Sequence, residues 1–307
     1  MSCLAKDSNN ILLLDELCHN SIQMGIRLGR KSGIVNGQVQ TFQHNNVHAL
    51  EDKLKQIRHQ TESLPLHSAA TLPNVIIVIE SIYSMDGDMA PMQAIFDLAA
   101  QYHACVVVDE AHGLGVCGKS GLGLLQQFHL ERHPCLLCSV FTFGKAAGCH
   151  GAVVCGSSSW IQFLYNYGRP IVYSTSLPLH ALVSIECAYD TMTDAIVGKQ
   201  LREKVTTNVK LFRKLIHESV LKFAMSESIA LVESFSPIQA LIIPGNHQCM
   251  EFCQRLYQRS NKTIKLFPIR SPTVPRGMER QTLAEMNLIK PSNASLGAGH
   301  KVLQSKL

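Results

Sequence analysis

Val75-Ile76-Ile77-Val78-Ile79 is an unbroken run of β-branched residues. A strand half-exposed to water alternates apolar and polar positions, whereas this run is apolar on both faces. Such a strand belongs inside a sheet covered on both sides. The pattern recurs at Ile11-Leu12-Leu13-Leu14-Asp15, at Cys105-Val106-Val107-Val108-Asp109 and over residues 136–142. Between these runs lie helical spacings: residues 22–28, then Leu50, Leu54 and Ile57 behind a capping Asn46, then Ile95, Leu98 and Ala99 behind Pro91. Strands that alternate with helices and are apolar on both faces imply an α/β chain with a mostly parallel sheet between helices.

Two of the runs deliver polar groups at their carboxyl ends. One ends Asp109-Glu110-Ala111-His112-Gly113, and the other ends Thr142-Phe143-Gly144-Lys145-Ala146-Ala147-Gly148. The carboxyl edge of an open α/β sheet is where ligands bind. An acid and an amine brought there together suit pyridoxal phosphate (PLP). The amine of Lys145 can hold its aldehyde as a Schiff base, and Asp109 can keep its ring nitrogen protonated. A plain buried ion pair between neighbouring strands satisfies the same spacing.

Composition narrows the field. The chain has 307 residues, 46% of them hydrophobic, which supplies a large core and excludes wholesale disorder. Its net charge of +5 is spread without a basic run, so nucleic acid is not the expected partner. Eleven cysteines, an odd number and several of them inside apolar runs, read as reduced thiols. Cys135-x-x-Cys138 lacks the second pair that a zinc site needs and sits in an apolar run, so core packing is the expectation. No run reaches the roughly 18 apolar residues of a membrane span. No signal peptide is evident, because the first apolar run is short and acids follow it. The glycines at 113, 115, 118, 121 and 123 form a turn-rich loop whose spacing is not that of a dinucleotide fingerprint.

Further along, residues 62–71 read as a surface loop, 151–156 as a strand, 160–167 as a helix and 169–178 as an extended, hydroxyl-rich segment. Two long helices are expected over 180–196 and 200–219. Strands near 239–243 and 264–267 and a helix near 249–259 then suggest a smaller α+β unit. The expected division is a large domain over 1–197, a small one over 198–286, and a disordered tail over 287–307. The sequence ends Ser305-Lys306-Leu307, the form of a peroxisomal address read by an import receptor; a cytoplasmic location is the alternative.

Six motifs, taken together, carry a resemblance. They are Asp15-Glu16-Leu17-Cys18-His19-Asn20-Ser21, Phe42-Gln43-His44-Asn45-Asn46, Glu80-Ser81-Ile82-Tyr83-Ser84-Met85-Asp86-Gly87-Asp88, Val108-Asp109-Glu110-Ala111-His112-Gly113, Thr142-Phe143-Gly144-Lys145 and Tyr173-Ser174-Thr175-Ser176-Leu177-Pro178. In this order the chain resembles the α-oxoamine synthases, PLP enzymes of the aspartate-aminotransferase fold. The likeness runs from about residue 11 to 280. Ile269-Arg270-Ser271-Pro272-Thr273-Val274-Pro275 is most similar to the members that join alanine to pimeloyl-CoA in biotin synthesis. A sister activity with glycine or serine and another acyl-CoA is the alternative, and a non-catalytic chain of the same fold is a third reading.

The resemblance implies a role for each matching residue. Lys145 carries the cofactor and moves protons at the substrate's α-carbon. Asp109 pairs with the ring nitrogen, His112 and Ser84 lie by the ring's phenolic oxygen, and His19 stacks on the ring face. Thr142 binds the phosphate, and Ser174 and Thr175 reach the phosphate of a partner subunit, which implies a homodimer. His19 read alone is a helix-start residue, Ser84 alone a turn cap, and Ser174 and Thr175 ordinary strand hydroxyls. The chain departs from the family in two places. It begins after the family's N-terminal glycine-rich segment, and in Glu279-Arg280-Gln281-Thr282 a threonine stands where a carboxylate-binding arginine is expected. The family's last strands are also expected to be missing, as in an incomplete gene model, a splice form or a degenerate copy.

Overall fold

The computed structural model describes residues 3–4, 7–62, 73–218, 230–243, 245–259, 267–269 and 282–287. The chain forms two compact units. One holds Met1–Lys204 with Glu233–Ser236, and the other holds Val205–Val232 with Pro237–Leu307.

The first unit is built on a six-stranded sheet. In chain order its strands are β1 (Asn10–Asp15), β2 (Gln38–Phe42), β3 (Asn74–Glu80), β4 (Ala104–Asp109), β5 (Leu136–Thr142) and β6 (Ala152–Gly156). In space they run β2-β1-β3-β4-β5-β6. The first five are parallel, and β6 closes the edge antiparallel to β5. The continuous apolar runs form the middle of this sheet: Leu12, Leu13, Ile77, Val78, Ile79, Val106 and Val108 are buried. β6, at the edge, is largely exposed.

Helices α1 (Asn20–Lys31), α2 (Val47–Glu62) and α3 (Met92–Gln101) connect the parallel strands. Each buries the stripe its spacing predicted: Ile22 and Ile26; Leu50, Leu54 and Ile57; Ile95, Leu98 and Ala99. Asn46 caps α2 by accepting the Ala49 N–H at 3.0 Å. Pro91 occupies the cap position of α3. A short helix, α4 (Leu124–Gln127), closes the glycine loop. After β6 come α5 (Ser158–Tyr167), α6 (Arg169–Val172), α7 (Leu179–Thr193) and α8 (Val197–Ile216).

One expectation is corrected. Residues 169–172 are not extended but form the turn α6, in which Val172 N–H donates to Gly168 at 2.9 Å and Tyr173 N–H to Arg169 at 3.0 Å. Pro170 sits in that first turn, where its missing N–H costs nothing. The β-branched Ile171 and Val172 suggested a strand, but among the described residues no strand pairs with them.

The second unit carries a four-stranded sheet ordered β7-β8-β10-β9. Its members are β7 (Ala230–Leu231), β8 (Ile238–Ile243), β9 (Phe267–Ile269) and β10 (Thr282–Asn287). α9 (Asn246–Arg259) packs Cys249 and Cys253 with Ile243. β10 was not anticipated from the sequence: Thr-Leu-Ala-Glu-Met-Asn shows weak alternation, and its place is set by antiparallel partners on both sides, β8 and β9. Of the loop expected over 62–71, Glu62 instead ends α2 and the rest lies outside the described residues, as do the motif at 270–275, residues 279–281 and the terminal Ser305-Lys306-Leu307. Among the described residues, all eleven cysteines are free, and no helix is long and apolar enough to cross a membrane.

Candidate active site

The site forms at the carboxyl edge of the first sheet, where β1, β3 and β4, neighbours in space, each end in an acid: Asp15, Glu80 and Asp109. Glu80 and Asp109 are register partners. Asp109 in turn faces Val140 of β5, three residues before the loop that presents Lys145 begins. That loop closes on itself: Phe143 N–H donates to Gly151 at 2.9 Å, Cys149 N–H to Phe143 at 2.8 Å and Gly148 N–H to Lys145 at 3.0 Å. It holds the Lys145 side chain exposed at the strand end.

Lys145, Asp109, His112, His19 and Glu80 act on one another electrostatically. Burial raises the Asp109 carboxyl, while the Ala111 N–H and the charges of Lys145 and His19 oppose the rise. Burial lowers the His112 imidazole to about 3, and the charges of Lys145 and His19 push the same way. His112 is therefore neutral at ordinary pH and able to donate one N–H. Burial pushes Glu80 up to about 8, with the charge of Asp109 adding to it and the His19 N–H working against it.

His19 meets the expectation of a helix-start residue. It caps α1 through its ring: Nδ1 accepts the Ser21 N–H at 3.2 Å and lies 2.9 Å from the Ser21 hydroxyl. The ring proton is thus directed to Nε2. The His19 backbone N–H donates to the Glu80 carboxylate. Thr142, at the end of β5, has a buried hydroxyl with no hydrogen-bond partner. A buried hydroxyl without a partner is costly unless a ligand completes it. Ser84 is half-buried in a turn closed by Gly87 N–H donating to Tyr83 at 2.9 Å. Ser174 and Thr175 are exposed between α6 and α7, and the Ser174 hydroxyl donates to the Pro170 carbonyl.

Sequence reasoning missed three groups. Glu80 is 2% exposed and lies beside Asp109. Glu110 is fully buried and accepts the Leu124 and Leu125 N–H groups at 3.0 and 2.7 Å, so it anchors the glycine loop. His44 bridges Asp15 and Asp88. The signal for Glu80 was present in the sequence: three apolar strands each end in an acid.

The amine, the half-buried acid, the neutral imidazole and the orphaned Thr142 hydroxyl are the donor set that PLP requires, and the residues fit that cofactor. The profile of the family described as aminotransferase class I and II matches residues 1–289. The chain belongs to that family. The 8-amino-7-oxononanoate synthase of Dechloromonas aromatica is 33% identical over 266 residues, 87% of this chain and 61% of the relative. The chain thus spans less than two thirds of the length of the curated relatives it matches. Among solved structures, serine palmitoyltransferase from Sphingomonas wittichii superposes with a TM-score of 0.75 at 23% identity, over 94% of this chain and 63% of that one. 8-Amino-7-oxononanoate synthase from Francisella tularensis gives 0.69 at 22% identity, over 94% and 72%. These are α-oxoamine synthases, and the family's PLP-dependent transferase fold is the fold of this chain.

Proposed function

We propose that the chain is the PLP-binding core of an enzyme that condenses an amino acid with an acyl-CoA, releasing CoA and carbon dioxide. The observation that carries this is the convergence of Lys145, Asp109 and His112 on one strand edge beside the unpartnered Thr142 hydroxyl. Relatives named 8-amino-7-oxononanoate synthase at 31–33% identity support L-alanine and pimeloyl-CoA as the substrates. Glycine or serine with another acyl-CoA is the alternative, and a chain that does not turn over is the third reading.

Bound there, PLP would spread the negative charge left when a proton leaves the amino acid's α-carbon. The residues do the remaining work. Lys145 would take the aldehyde and, once displaced by the amino acid, hold and return the α-proton at Nζ. Asp109 would keep a proton on the ring nitrogen, since a carboxylate beside a cation is stabilised as an ion. His112, neutral, and Ser84 would donate to the phenolic oxygen. His19 would cover one ring face, with its orientation set by Ser21 and Glu80. Thr142 would donate its hydroxyl to the phosphate.

A homodimer is part of the proposal. α7 buries none of its residues although it is largely apolar, and Tyr173, Leu179, Leu182 and Val183 are all exposed. An unpartnered apolar face of this kind is characteristic of a subunit interface. Ser174 and Thr175 lie on the same stretch and would serve the partner's phosphate.

The test is to incubate the purified chain with PLP, reduce with borohydride and map the modified peptide. Modification at Lys145, absent in Lys145→Ala, supports the reading. A folded chain that takes no PLP overturns it for this chain. Release of CoA from pimeloyl-CoA with alanine, against glycine and serine with other acyl-CoA thioesters, separates the substrate readings.

A further inference from the structure

His44 bridges two carboxylates near the site and has no part in the chemistry above. Its Nδ1 lies 2.9 Å from Asp15 and its Nε2 lies 2.8 Å from Asp88. Neutral imidazole has only one N–H to donate, so two carboxylates can both accept from it only when it carries two. Four acids surround it. Asp15 comes from β1 and Glu16 from the residue after it, the latter accepting the His44 backbone N–H at 3.0 Å. Asp86 and Asp88 come from the turn after β3. The Tyr83 ring meets the imidazole edge-on at 4.4 Å. Asn45 reinforces the same bridge: its backbone N–H donates to Asp15 at 2.9 Å and its side chain donates to Asp88.

His44, Asp86 and Asp88 also bring potential ligand atoms within 4.8 Å of one another, as a metal site would. A metal needs a ring-nitrogen lone pair. Here both nitrogens already face carboxylates, so an imidazolium fits the geometry and a metal does not.

We propose that His44 is a permanent imidazolium that clamps Asp15 to Asp88 and so acts as a positioning residue for His19 and Ser84. The clamp deepens the reading of the site given above and rests on it. Two short paths connect it. Asp15 accepts the Leu17 N–H at 2.9 Å through its side chain and the Cys18 N–H at 3.1 Å through its carbonyl, which shapes the turn into His19. Asp88 accepts the Tyr83 N–H at 3.0 Å through its carbonyl, which closes the turn that holds Ser84. Burial, the largest single influence on His44, disfavours its charge. The hydrogen bonds and charges of Asp15 and Asp88 together outweigh burial and push the imidazole up to about 10.

The experiment is an imidazole nitrogen–proton correlation spectrum of the nitrogen-15-labelled full chain from pH 6 to 11, with His44→Gln to assign the signal. Two protonated nitrogens on His44 up to about pH 9 support the clamp. An ordinary titration near 6.5, or loss of its N–H signals on adding one equivalent of zinc, overturns it. If His44→Gln does not fold, Asp88→Asn keeps the Asp15 contact and must shift the same titration down. Positioning is read without cofactor on His19, whose Nδ1 accepts the Ser21 N–H in the wild type; in His44→Gln a mixture of tautomers is expected. A folded His44→Gln with an unchanged His19 signal overturns the positioning role. With cofactor, His44→Gln should bind PLP about tenfold more weakly yet still be trapped at Lys145. A wild type with an imidazolium at His44 that takes no PLP would sink the proposed function and leave the clamp standing.

Discussion

Glu80 and Asp109 stand side by side at the ends of adjacent parallel strands, with the backbone N–H of His19 donating to Glu80. Two carboxylates this close in a buried setting do not both ionise freely. The rise is large at Glu80 and smaller at Asp109, so Glu80 is the one that yields. The pair therefore divides its roles: Asp109 is the anion available to a cationic ring nitrogen, and Glu80 is a largely protonated neighbour that orients the His19 peptide.

That division makes stability depend on pH with a definite sign. A carboxyl whose folded pKa is raised favours the folded state while protonated. Its contribution is complete below about pH 4.5 and is lost as pH rises through about 8. Glu80→Gln keeps an oxygen to accept the His19 N–H but cannot ionise. Thermal unfolding from pH 5 to 9 should show the wild type losing several degrees relative to Glu80→Gln. Parallel curves for the two would show that Glu80 does not titrate in this window.

The glycine loop gives a second expectation. Gly123 has φ of +109°, and a Cβ there would lie 2.6 Å from the Glu110 carboxyl carbon. Gly123→Ala would displace a buried carboxylate from the Leu124 and Leu125 N–H groups as well as strain the backbone. A loss of about 2–4 kcal/mol is expected, of the kind that follows from a broken buried network. Gly33 is the control, with φ of +65° and nothing within 4 Å of its would-be Cβ. Gly33→Ala should cost only about 1 kcal/mol of backbone strain. Equal unfolding midpoints for the two variants would dismiss the Glu110 network as the reason for Gly123.

The central strands were legible because burial on both faces leaves an unbroken apolar run, and Lys145 and Asp109 because they close such runs. The clamp at His44 was not. Its meaning lies in Asp15 and Asp88, 29 and 44 residues away in sequence, and no local pattern encodes that convergence. Glu110 was hidden for a related reason. It reads as one more acid after Asp109, yet its partners are backbone amides at Leu124 and Leu125, reached only when the glycines fold the loop back. α6 misled because β-branched residues favour strands only where a pleated neighbour exists.

The sequence closes on Ser305-Lys306-Leu307, and a peroxisomal location is proposed on that basis. The chain fused behind a fluorescent protein should collect in peroxisomes, and deletion of Leu307 should return it to the cytosol. Cytosolic fluorescence of the intact fusion would refute the address.

Thr142 offers a test in which stability and binding move in opposite directions. Its hydroxyl is buried at the end of β5 and unpartnered. Valine has nearly the same shape and removes the polar group, so in the cofactor-free chain Thr142→Val relieves a desolvation cost of about 1–3 kcal/mol. The unfolding midpoint should rise or stay level without PLP. With PLP, the donor to the phosphate is gone. A charge-assisted hydrogen bond contributes about 1.5–3 kcal/mol, so the dissociation constant for PLP should rise by roughly tenfold to a hundredfold. A purely structural threonine would lower stability in both states and leave cofactor affinity alone. Titrating PLP into both proteins while following the unfolding midpoint reads both effects in one series: the wild type should overtake Thr142→Val as PLP increases, because only its site is completed by the ligand.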